Sequence, residues 1–106
     1  MIIQWDKEHM EEMIYRCIGS LAKANKATIK VRDIEPQPTC VKILSTVYGR
    51  AIYTETFTLD YNGLVDYLGV ERTDTGVLDL NNLNPEMKLE LGKYIIKTIW
   101  EVIYNK

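Results

Sequence analysis

The stretch from Asn84 to Tyr104 constrains the fold more than any other part of this chain. Asn84-Pro85-Glu86 has the chemistry of a helix start. Asn accepts from a free backbone N–H, Pro suits the first helical position, and an acid suits the positive end of the helix dipole. No proline and one glycine, Gly92, follow before Tyr104, so the pattern predicts an unbroken helix over 87–104. At a period of 3.6, Glu86, Glu90, Lys93, Lys97 and Glu101 gather on one narrow stripe. Leucine, isoleucine, valine, tyrosine and tryptophan occupy most of the remaining circumference. A helix lying on the surface of a small domain buries an apolar stripe little more than ~100° wide. The excess predicts either a central rod or one half of an interface.

The rest of the composition bounds the fold class. A chain of 106 residues is one domain, 1–106, able to bury about two-thirds of the surface its unfolded form exposes. It needs neither metal nor disulfide to hold a core. Thirteen basic against fifteen acidic residues, a net charge of −2, favour neither a nucleic-acid binder nor an acidic solvating tail. Cys17 and Cys40 do not form a spaced pair and read as reduced, buried thiols. The opening Met1-Ile2-Ile3 is cut short by Gln4 and Asp6, and no stretch reaches the ~20 apolar residues of a membrane span. The chain is therefore expected in the cytoplasm.

Asp6 reads as the cap of a first helix, with Trp5 before it packing one turn in. Met10, Met13, Ile14, Cys17, Ile18 and Leu21 then recur at three- and four-residue spacing, with Asn25 as the stop. Ala27 to Ile34 alternates as a half-buried strand, and Glu35-Pro36-Gln37-Pro38 reads as a stiff connector. Two further strands, 40–47 and 51–59, flank Tyr48-Gly49-Arg50. Asp60 to Gly63 is a turn cluster, Leu64 to Leu68 a short helix ended by Gly69, and Val77 to Leu80 a brief strand. The order predicts an α+β fold: an antiparallel meander of three strands, with a fourth as an option. The N-terminal, short and long C-terminal helices pack on one face.

The register of the 40–59 hairpin decides which side chains share a surface. A two-residue turn at Gly49-Arg50 has favourable local chemistry, but it sets Tyr53 and Phe57 on the face of Lys42. A loop one residue longer flips the second strand. Val41, Ile43 and Val47 then lie with Tyr53, Phe57 and Leu59, and Thr54, Thr56 and Thr58 face water. The flipped register is favoured, because burying two aromatic side chains outweighs a turn preference.

No catalytic constellation is legible. Asp74-Thr75-Gly76 resembles the signature triplet of aspartic proteases, where two such loops aim paired carboxylates at one water. Here it follows Glu71-Arg72-Thr73 rather than an apolar strand, and it reads as a turn before the brief strand. His9 is the sole histidine, so no histidine pair exists to hold zinc. Asp60, Asn62 and Asp66 lack the ligand spacing of a calcium loop. No glycine-rich phosphate loop occurs, and no cofactor is expected.

The leading expectation is a non-enzymatic cytosolic protein that acts by protein–protein contact: an adaptor, an assembly subunit or an inhibitor of a larger enzyme. The last helix joins it as a homodimer, with Tyr94, Ile96, Trp100, Ile103 and Tyr104 as interface residues. The alternative is a binder of a small ligand, a nucleotide or single-stranded nucleic acid. It uses a basic, aromatic sheet face made by Lys30, Arg32, Lys42, Tyr48 and Arg50, joined by Tyr53 and Phe57 if the two-residue turn forms.

Overall fold

A computed structural model describes residues 1–25 and 28–105; Ala27, assigned above to the first strand of the meander, lies outside them. The elements run β1 (Ile2–Gln4), α1 (Lys7–Asn25), β2 (Thr28–Pro36), β3 (Cys40–Tyr48), β4 (Ile52–Asp60), α2 (Tyr61–Leu68), β5 (Val77–Asp79) and α3 (Pro85–Tyr104). Strands β2, β3 and β4 form an antiparallel sheet in that order, and β1 pairs with β5 in a separate parallel ribbon. The fold is α+β.

The flipped hairpin register is the one adopted. Ile43 lies opposite Phe57, Val47 opposite Tyr53 and Val41 opposite Leu59, with Gly49, Arg50 and Ala51 forming the loop. Phe57 is 0% exposed, whereas Thr54, Thr56 and Thr58 are exposed. Full burial of a side chain of this size contributes roughly 1.5–3 kcal/mol, more than a turn preference supplies. The inner sheet face, with Ile29, Ile34, Ile43 and Phe57, joins Ile14 and Cys17 of α1 and Leu91, Ile95 and Ile99 of α3 in one core.

Helix ends follow the residues at them. Asn84 Oδ1 accepts from Met87 N–H at 2.8 Å, and Pro85 occupies the first position of α3. Asp6 precedes α1 with its carboxylate 3.8 Å from His9 Nδ1, and its own N–H donates to Asn81 Oδ1 at 2.7 Å. Gly69 closes α2 at φ +67°, a left-handed conformation that a Cβ makes costly.

Four details differ from expectation. Tyr61, Asn62 and Gly63 are the first turn of α2, not a loop, because Asp60 is extended and the chain turns directly into helix. Glu35 and Pro36 belong to β2, where an edge position tolerates proline. Ala51 belongs to the hairpin loop and not to the strand. The brief strand near Val77 does not extend the meander; it pairs with Ile2, Ile3 and Gln4, and the Asp74 triplet is the turn before it. A three-residue strand at the N-terminus carries too little pattern to be read from sequence.

Candidate interaction surface on the last helix

Helix α3 has one buried row and two unlike flanks. Leu91, Ile95 and Ile99 form the row that enters the core. Steps of 100° per residue put Leu89, Ile96, Trp100 and Ile103 within about 60° of one another on the flank toward α1, with Tyr104 at its margin. Tyr94 lies about 120° round from Trp100, on the side toward α2.

The two flanks do different things. Tyr94 is engaged within its own chain: its hydroxyl donates to the Asp60 carbonyl oxygen at 3.0 Å, and its ring meets Tyr67 at 5.4 Å between centroids. Lys97 Nζ stands 5.6 Å from the centre of the Tyr67 ring, extending the same packing. Burial raises the Tyr94 phenol above its usual range; its hydrogen bond with Thr98 opposes this, and the nearby Asp60 and Glu101 charges add to it.

The α1 side is open. Leu89 is 60% exposed and Tyr104 75% exposed; Ile96, Trp100 and Ile103 between them are half-buried. Trp100 and Tyr104 contact each other at 5.7 Å between centroids. Beside them a groove of about 350 Å³ runs between the helices, lined by Met13, Cys17, Pro85, Leu89, Gly92 and Ile96. The helices meet at Gly92, where the Cys17 thiol donates to the Gly92 carbonyl oxygen at 3.6 Å. Burial pushes the Cys17 thiol up to about 11, with Arg16 opposing, so it stays protonated at neutral pH. Arg16, Lys88 and Lys93 border the groove; Arg16 pairs with Glu12 at 3.2 Å and Lys93 with Glu90 at 3.1 Å.

Of the five interface candidates on α3, the structure brings Ile96, Trp100, Ile103 and Tyr104 together and sets Tyr94 on the other flank, against Tyr67 and Asp60. Leu89 and the Met13–Cys17 wall were missed as site residues. The spacing Leu89–Ile96–Trp100, seven and then four residues, was the available signal.

The basic sheet set is divided by the register. Lys30, Lys42 and Tyr48 lie on the outer face, opposite Thr46, Thr58 and Ile52. Arg32, the bulged residue of β2, donates from Nε to Thr46 Oγ1 at 2.7 Å, and Arg50 sits in the hairpin loop. Tyr53 and Phe57 are on the inner face. The outer face therefore keeps one ring, Tyr48, and Lys42 has Glu35 directly beside it.

Other concavities carry less. An open depression of about 470 Å³ borders Ile2, Tyr61, Arg72 and Asp74, but Arg72 is bound to Asp66 Oδ1 at 2.5 Å and to the Asn62 carbonyl at 2.9 Å. Burial, and secondarily Cys40, raises the Tyr61 phenol. Among the described residues, no three His, Cys, Asp or Glu side chains cluster as metal ligands, and no helix is long and apolar enough to cross a membrane. No family model, no curated protein and no solved structure matches this chain.

Proposed function

We propose that this chain is a non-catalytic cytosolic protein that acts through protein–protein contact, as a homodimer joined by the α1-facing flank of α3. One observation carries the reading. An apolar strip from Leu89 to Tyr104, about 22 Å long at 1.5 Å per residue, lies open beside an apolar groove. The strip is self-complementary. Its groove lies beside the N-terminal half of α3, and the half-buried Trp100 and exposed Tyr104 stand on the C-terminal half. An antiparallel two-fold contact sets Trp100 and Tyr104 of each copy over the Met13–Gly92 groove of the other, the isologous arrangement commonest among oligomers. Aromatic anchors filling a pocket are also what dominates interface energy. The free, buried cysteines Cys17 and Cys40 suit a reducing compartment.

The competing reading, a platform for a nucleotide or single-stranded nucleic acid on the outer sheet face, asks for stacking rings beside positive charge. With Tyr53 and Phe57 on the inner face, that surface supplies the charge beside a single ring, Tyr48.

Sedimentation equilibrium at micromolar concentration tests the dimer. The wild-type chain sediments at twice 12.3 kDa or a higher multiple, and Leu89→Glu with Tyr104→Glu, still folded, sediments at half the wild-type mass or less. Both residues are exposed, so the substitutions leave the core untouched. A wild-type monomer across the concentration range overturns the reading.

A further inference from the structure

The two edges of the antiparallel sheet are unlike. Edge strand β2 is blunted in three ways. Arg32 makes a bulge between Val31 and Asp33, Asp33 Oδ1 accepts from the Ile34 N–H at 2.9 Å, and Pro36 has no N–H to offer. Edge strand β4, Ile52–Asp60, has nine residues in unbroken register with β3, no bulge and no proline.

The hydrogen-bond pattern shows which groups β4 turns outward. Gly49 N–H donates to the Ala51 carbonyl, and Tyr61 N–H to the Thr39 carbonyl. Odd-numbered residues are therefore the hydrogen-bonded rungs facing β3, and in an antiparallel ladder the alternate residues point their N–H and C=O away. Those residues are Ile52, Thr54, Thr56 and Thr58, all β-branched, uncharged and exposed. The next in the series, Asp60, is closed off, because its carbonyl takes the Tyr94 hydroxyl. A hydrogen-bonding edge thus runs open from Ile52 to Thr58.

We propose that this edge pairs with the same edge of a second copy, antiparallel about a two-fold axis, to make one continuous six-stranded sheet. The row of side chains argues for self-pairing. An axis at Thr54 or Thr56 sets a threonine opposite its own copy on the outer face, and cross-strand threonine pairs stabilise a sheet. An axis at Glu55 sets like charges opposite each other, so the register is centred on one of the two threonines. This contact is separate from the strip on α3. A chain bearing two isologous surfaces assembles beyond a dimer, as the subunit of a larger closed or open array.

Cysteine cross-linking of the full chain under mild oxidation tests the pairing, with wild type as the control for Cys17 and Cys40. Thr54→Cys or Thr56→Cys, tested singly, forms a disulfide dimer, and Thr58→Cys, remote from its own copy in both registers, does not. Thr56→Lys, an outward charge on the edge, abolishes the β4 contact while its circular dichroism stays that of wild type. The cross-link survives Leu89→Glu with Tyr104→Glu, which separates this contact from the one on α3. Neither threonine variant cross-linking above Thr58→Cys overturns the proposal, even if the α3 dimer stands. So does a monomeric Thr56→Cys protein whose 52–58 amides are protected only by an extended peptide from another protein.

Discussion

The Tyr94 hydroxyl donates to the Asp60 carbonyl oxygen at 3.0 Å, tying the middle of α3 to the residue where β4 becomes α2. Gly63 lies beneath the contact: a Cβ built there comes within 2.7 Å of the Tyr94 oxygen. Tyr94→Phe is expected to cost about 1 kcal/mol, the net worth of one such hydrogen bond. Gly63→Ala gains helix propensity but pushes the phenol off Asp60. The two effects couple, so Gly63→Ala is expected to be more favourable in the Tyr94→Phe background than in wild type. Urea unfolding of the four proteins in the cycle measures the coupling.

The hairpin register makes a contrast between adjacent residues. Phe57→Ala empties a fully buried site and is expected to cost about 3–5 kcal/mol. Thr56→Ala, one residue earlier on the outer face, is expected to change stability by no more than about 0.5 kcal/mol. A platform role for Phe57 predicts the reverse, a harmless truncation there. Denaturant midpoints decide between them.

Capping gives a third test. Asn84→Ala removes the acceptor for the Met87 N–H and is expected to cost about 1 kcal/mol; Asn84→Ser, which keeps a capping oxygen, is expected to retain most of the stability.

Alkaline stability follows from Cys17. Its pKa is raised from 9.0 to about 11 in the folded chain, so between those values the folded state holds a proton that the unfolded state releases. The contribution is whole below pH 9 and is lost as pH rises toward 11. The raised Tyr94 and Tyr61 phenols act in the same direction. Urea midpoints are expected to fall over this window, less steeply in Cys17→Ala. Below pH 9 the Cys17 thiol is expected to react with disulfide reagents only on unfolding.

Much of the fold was legible because its signals are local. Asn84-Pro85 marked the start of α3, the three- and four-residue spacing from Met10 to Leu21 marked α1, and the contest between Phe57 and a turn preference settled the hairpin. The misses are non-local. Nothing within Ile2-Ile3-Gln4 says that its partner is Val77-Leu78-Asp79. Tyr94 carried the same apolar signal as Trp100, and the bond of its hydroxyl to Asp60, 34 positions away, leaves no mark in the pattern. The open edge of β4 was hidden as well, because side chains, not backbone groups, make a sequence pattern.

The small ribbon of β1 and β5 bears on the order of assembly. The bond from Asp6 to Asn81 spans 75 positions in the chain, and the ribbon beside it closes a loop of similar size. Joining such distant segments requires the intervening polymer to be compact already, since the entropic toll of closure precedes any reward from the contact. By this measure the hairpin, the most local pairing, is the early scaffold of folding, and the clasp closes late, with the α1–α3 contact that Cys17 and Gly92 make over the same 75 positions. A mutation at Ile3 should speed unfolding while barely slowing refolding.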